Sequence, residues 1–259
     1  MGILRVELVL CVGLAMAGGA QAAQPQRSIG IQPEAWQVVQ LANQARAAQG
    51  AGPLKWDEAL AAAARQHCLL MAEEGPISHR YGGEADLSDR AGAAGAHFSL
   101  IEENVAIGPT PAGIHNEWMH SEGHRTNLLN PEVDRVGVAL VASRGVLYAV
   151  ADYAKGVPVL TLGQVEATIG AQVRAKGVGV VENPATARAA CAMDRGFPKG
   201  DNLQPRFVMR WQDANIAQLP PKLVDQLASG QYRKAAVGSC PAQYVEGAFT
   251  VYRAAVLLY

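Results

Sequence analysis

The sequence predicts an α+β protein made of two consecutive units, on three observations. Helical stretches bounded by caps and glycines lead into two alternating strands over residues 135–142 and 146–153. A break at Gly156–Val157–Pro158 follows, and a fresh mixture of helical and strand-like stretches fills residues 160–259. With 49% hydrophobic and only 17% charged residues in 259, the chain has ample material for a packed interior, and wholesale disorder is excluded.

The elements follow in chain order. Pro33 to Gln49 reads as a helix closed by Gly50, which tolerates the left-handed conformation of a C-terminal cap, and Gly52–Pro53 turns the chain. Asp57 is placed to N-cap the next helix, which carries Leu60, Ala64, His67 and Met71 on one stripe and ends at Gly75. Ser88 to Gly95 makes a third, shorter helix, and Thr110–Pro111 gives a cap and a first-turn proline to a fourth running through Trp118. Ser143–Arg144–Gly145 joins the two strands. In the second unit, Thr161–Leu162–Gly163–Gln164 has the pattern of a capping box, and Leu162, Val165, Ile169 and Val173 recur at helical spacing up to Gly177. Asn183–Pro184 opens a helix carrying Cys191, Pro221–Ser229 is helical, and Arg206–Gln212, Tyr232–Ser239 and Ala248–Leu258 are strand-like. No internal repeat stands out.

Residues 1–22 have the layout of a secretory signal peptide: Arg5, an apolar run from Leu8 to Ala17, then Ala20–Gln21–Ala22 as a small-x-small cleavage site near Ala22–Ala23. That run is too short to span a bilayer core of about 30 Å, so the chain is expected to be secreted or periplasmic and not membrane-spanning. A formal charge of −1 offers no basic surplus for neutralising phosphates, which argues against nucleic acid as a partner. Export permits disulfides. With Cys11 removed alongside the leader, Cys191 and Cys240 share the C-terminal part and are the expected pair, closing a loop whose constraint is worth roughly 4 kcal/mol. Cys68 lies among apolar residues of a helix and is expected to stay buried and inert.

Motifs for zincins, α/β-hydrolases, thioredoxin-like redox sites, P-loops and dinucleotide folds are all missing from the chain. What remains is concentrated between His79 and Pro131: Ser78–His79, the acidic pair Glu102–Glu103 ahead of Asn104–Val105–Ala106, and Trp118–Met119–His120–Ser121–Glu122–Gly123–His124–Arg125. Two imidazoles and a carboxylate that converge offer a divalent metal an open-sided site, or form a general acid–base pair. Ser121 lies seven residues after Ile114 and falls on the inward face of its helix. His120 lies about 200° around the helix from Trp118, which argues against a His120/His124 metal pair. His67 reads as a satisfied core-edge histidine, and Glu102 points to the face opposite Glu103 if the segment is extended.

At these motifs the sequence resembles the CAP superfamily of cysteine-rich secretory proteins, insect-venom antigens and plant pathogenesis-related proteins, and within it the bacterial secreted SCP-like domains. The resemblance is carried by Leu41-x-Asn43-x-x-Arg46, Pro53–Leu54-x-Trp56–Asp57, Ser78–His79, Glu103–Asn104–Val105–Ala106, the Trp118–Pro131 segment, Val136–Gly137–Val138 and Ala151–Asp152–Tyr153, in order over about Pro33 to Lys155. It implies an α-β-α sandwich over 33–155 and a cleft lined by a His/Glu/Glu/His tetrad; residues 160–259 resemble no recognised family and are expected, from their own strands, to form a small α+β unit that follows it. His79, Glu103 and His124 match that tetrad; the second glutamate is replaced by Ser121, and Glu102 stands where a glycine usually precedes the first glutamate. The resemblance also implies binding or signalling roles, with members associated with sterols, lipids or metals and a few with proteolysis.

Together these features favour a non-enzymatic binding module whose cleft, lined by His79, Glu103, Ser121 and His124, takes a small apolar or envelope-derived ligand. One alternative is a metal-dependent hydrolase of peptide or peptidoglycan bonds, with Zn²⁺ on His79 and His124 and Glu103 as general base. The other is an interaction protein docking on a protein partner through residues 160–259.

Overall fold

The computed structural model describes residues 32–196, 198, 204–245 and 247–259, so the expected signal peptide lies outside the described residues. In chain order the elements are α1 (Pro33–Ala48), β1 (Lys55–Trp56), α2 (Glu58–Glu74), α3 (Leu87–Ala93), β2 (Phe98–Gly108), α4 (Pro111–His120), α5 (Glu122–Leu129), β3 (Arg135–Ser143) and β4 (Val146–Gly156). There follow α6 (Leu162–Ala175), β5 (Gly179–Val180), α7 (Ala185–Cys191), β6 (Phe207–Asp213), α8 (Pro221–Ala228), β7 (Lys234–Cys240) and β8 (Tyr252–Leu258).

Several helices start where a side chain satisfies otherwise unpaired first-turn N–H groups. Asp57 accepts from the backbone of Ala59 and Leu60, Thr110 from Gly113, and Thr161 and Gln164 form a reciprocal capping box. The first sheet has the order β1-β3-β4-β2, with β1 parallel to β3 and the other pairs antiparallel. One face packs on α1, α4 and α5 through Val38, Ala42, Ile114, Trp118, Leu128 and Tyr153; the other packs on α2 and α3 through Leu60, Ala64, Met71, Tyr148 and Phe98. This is the expected α-β-α sandwich. The backbone of α2 at Leu60–Ala61 lies against Gly137 of β3, where any Cβ would collide with it.

Residues 160–259 build a second sheet, in the order β5-β7-β8-β6. Here β5 is parallel to β7, and β7–β8 and β6–β8 are antiparallel. The order and strand polarity are those of the first sheet, and the helices follow suit: α6 and α8 cover one face, and α7 covers the other. The repeat that residue identities did not reveal is thus present in the topology. Cys191 and Cys240 form the expected disulfide, joining the end of α7 to the end of β7 with Cα atoms 5.9 Å apart. Cys68 is free and buried, with its thiol pushed up to about 12 by burial. Among the described residues no helix is long and apolar enough to cross a membrane.

Three details differ from the expectations. The segment around Glu102–Glu103 is part of an 11-residue strand, β2, whose acidic content hides its pattern. The fourth helix ends at His120, Ser121 is extended (φ −91°, ψ 122°), and α5 starts afresh, so His120 and His124 do not share a helix. The last strand begins at Tyr252, not Ala248; residues 248–251 are a loop.

Candidate functional site

β2 is an edge strand, and alternation along it sends Glu103 toward α2 and α3 and Glu102 toward α5. Glu102 meets Asn130 Nδ2 at 2.9 Å there, and burial raises its carboxyl above the usual range. Glu103 is only 6% exposed, and both its oxygens are engaged. Oε1 lies 2.8 Å from His79 Nδ1, and Oε2 accepts from Arg90 Nη2 at 2.5 Å. Behind them, His67 is fully buried, with Nδ1 2.7 Å from Glu84 Oε1, Nε2 2.8 Å from the Ser78 carbonyl and 3.9 Å from Glu103 Oε2. His67 is therefore the satisfied core histidine expected, and also part of the site's foundation.

His79 stands at the rim, its side chain 61% exposed. The hydrogen bond to Glu103 raises its pKa from the ordinary value, outweighing partial burial and the Arg90 charge. Because Nδ1 faces a carboxylate, the neutral ring carries its proton there and leaves Nε2 as the atom for a ligand. His124, on α5, shifts the other way: burial first, then the charge of nearby His79, lowers its pKa, and its buried Nδ1 has no partner among the described residues. The strand edge between them is closed by side chains, with Trp118 Nε1 donating to the Val105 carbonyl and Asn127 Nδ2 to that of Glu103, each at 3.2 Å. Asn104 Nδ2 donates to the His124 carbonyl at 2.9 Å and so pins α5. Arg46, fully buried, donates to the carbonyls of Gly52, Leu128, Asn130 and Val133 and fixes the chain leaving α5. Ser121 forms the junction between α4 and α5, three residues before His124, and makes no side-chain cap.

Two imidazoles alone make an incomplete metal site. Among the described residues no group of three or more His, Cys, Asp or Glu is arranged to hold a metal ion, and Glu103 is already saturated by Arg90 and His79. The residues present do not fit a three-ligand zinc centre.

Residues 39–153 match the family model "CAP: Cysteine-rich secretory protein family". This segment belongs to the CAP family. Among curated proteins it is 37% identical over 110 residues to "Uncharacterized protein YkwD" of Bacillus subtilis (strain 168), covering 41% of this chain and 42% of that protein. It is 33% identical over 106 residues to "Uncharacterized membrane protein YlbC" of the same organism, covering 40% of this chain and 30% of that one. The chain thus spans less than half the length of either relative. Among solved structures, an extracellular SCP-domain protein from Bacillus anthracis is 27% identical with a TM-score of 0.44, covering 47% of this chain and 40% of that one.

Reading the CAP segment from its sequence alone missed four members of the site's base: Arg90, His67, Glu84 and Asp152. Asp152 is fully buried and directly opposite Glu103 across the β2–β4 pair. No N–H or O–H donor among the described residues reaches its oxygens. Burial, and then the Glu103 charge, push the Asp152 carboxyl well above the usual carboxylate range. A raised folded-state pKa means that the native CAP domain keeps a proton the unfolded chain releases above about pH 3.9. Stability from this group is therefore complete below that pH and falls as pH rises toward the folded pKa, by at most about 1.4 kcal/mol per pH unit. Asp152→Asn keeps the size and shape of the side chain and abolishes the titration. Thermal melts across pH should find the variant more stable than wild type at pH 7, with the advantage shrinking toward pH 4. Parallel pH profiles would refute a proton retained by Asp152 in the folded state.

Proposed function

We propose that the CAP segment is the ligand-binding part of a secreted or periplasmic protein, and that its His/Glu-lined cleft takes a small apolar or envelope-derived molecule by its polar head group. The observation that carries this reading is the contrast at the rim: Glu103 is 6% exposed with both oxygens engaged, whereas the His79 side chain is 61% exposed. A general base must face the water it activates with a free lone pair. Glu103 has neither, which weighs against hydrolysis of peptide or peptidoglycan bonds. Glu103 favours the charged form of His79, which can then donate from Nε2 to an acidic or phosphate-bearing head group, while burial disfavours the charged form of His124. Two units, 33–155 and 160–259, fit this reading, the second following the ligand-binding one along the chain.

The test is equilibrium binding of anionic and neutral lipids and of envelope glycans to the whole chain and to His79→Ala. An anionic head group should bind the variant roughly tenfold more weakly, the loss of one charge-assisted hydrogen bond. The raised His79 pKa gives binding a sign with pH: tightest where the ring is charged, and weaker as pH rises through that pKa. If no lipid or glycan binds, the reading fails; if zinc binds stoichiometrically and His79→Ala/His124→Ala abolishes it, the metal reading replaces it.

A further inference from the structure

The likeness of the two sheets extends to one row of residues. Gly137, Asp152 and Glu103 lie side by side across β3, β4 and β2; Gly238, Ala255 and Arg210 lie side by side across β7, β8 and β6. The two glycines are equivalent by a second criterion as well. Gly238 faces the backbone of α7 at Ala187–Arg188 as Gly137 faces α2, each too close for a Cβ. Register thus puts Arg210 where the CAP segment has Glu103, and Ala255 where it has Asp152. Arg210 donates to the Ala190 carbonyl in α7 at 2.6 Å and to that of Gly196, and Arg253 donates to Met193 O at 3.1 Å. The carboxylate position has become a guanidinium that ties down the end of its own helix, so no histidine–carboxylate pair is built there.

The second scaffold reaches the first through the loop between β7 and β8. Ala248 packs on Gly92 of α3, and Gly247 lies against Ser88. Phe249 meets Phe98 edge-on, with centroids 5.3 Å apart, and Thr250 N donates to the Phe98 carbonyl at 2.8 Å. The helix held in this way is the one that carries Arg90 to Glu103.

We propose that residues 160–259 are a second, pared-down copy of the CAP sandwich that serves the first as a positioning element: its 247–250 loop clamps α3 and the head of β2, and so keeps Arg90 on Glu103.

The test uses the whole chain with Phe249→Ala, Ala248→Leu and, as a control at the exposed tip of the same loop, Tyr244→Ala. Leucine at 248 has no room against Gly92, so it lifts the loop away from α3. Amide exchange over residues 86–98 should accelerate roughly tenfold or more in the first two variants and stay unchanged in the control, with β3 and β4 amides unaffected. The NMR signal of the His79 Nδ1 proton held by Glu103 should broaden or vanish in the same two variants. Unchanged exchange over 86–98 in Ala248→Leu overturns the clamp, even if Phe249→Ala unfolds the protein. Faster exchange with an intact His79 signal overturns the positioning role. No ligand enters the measurement, so its failure is distinct from failure of the binding reading.

Discussion

Replacing Arg90 with methionine should destabilise the protein by about 3–5 kcal/mol, the range for removing one partner of a buried ion pair. Arg90 is 5% exposed; its Nη2 lies 2.5 Å from Glu103, and its Nη1 donates to the His79 carbonyl at 3.2 Å and lies 3.7 Å from Glu84. Methionine fills much of the volume but supplies no charge, leaving Glu103 buried beside Glu84 and facing Asp152. The loss comes from that uncompensated carboxylate, not from the pair's own strength. Glu103→Gln should therefore be harmful alone yet restore part of the stability of Arg90→Met, and urea unfolding of the four species measures that coupling. Arg90→Lys should recover only part, because one ammonium cannot serve the carboxylate and the carbonyl together. A loss below about 1 kcal/mol in Arg90→Met, the level of an exposed pair, would mean the carboxylate finds water instead.

Arg46→Met should be as damaging, about 3–5 kcal/mol by denaturant unfolding, with a different origin. Four carbonyls converge on this guanidinium at 2.7–2.9 Å. Burial lowers its pKa from the ordinary value, and no carboxylate forms an ion pair with it among the described residues. The carbonyl dipoles, with that of Leu128 at the end of α5, compensate the charge. Without the donors those carbonyls are left in a dry interior, and the chain from α5 into β3 loses its anchor. His124 should feel this, so its ring resonances should shift in Arg46→Met although Arg46 does not touch it. An unmoved His124 would show that Asn104 and Asn127 hold α5 unaided.

Local chemistry was legible along the chain. Asp57, Thr110 and the Thr161/Gln164 box mark helix starts because a short polar side chain placed one residue ahead of a helix satisfies N–H groups that nothing else nearby can reach. Alternation separated Glu102 from Glu103 before any coordinates did, since extended backbone leaves no other choice. The disulfide followed from cysteine count and position. The two-residue strands β1 and β5 carry no pattern of their own and exist only because β3 and β7 are there to pair with. Strand β2 hid because its acidic residues find their partners, Arg90 for Glu103 and Asn130 for Glu102, elsewhere in the chain.

By itself the sequence determined where the capped helices begin, where the hairpin strands β3 and β4 run, and that Glu102 and Glu103 part to opposite faces. Those properties rest on periodicity and capping, which are encoded within a few residues. Only the tertiary structure decided that Arg90, His67 and Asp152 stand around Glu103, and that one sheet topology is used twice. Burial of a charge depends on what packs over it from elsewhere in the chain. Topology is fixed by which apolar faces meet, and the pairs Glu103/Arg210 and Asp152/Ala255 fill equivalent places with no identity in common.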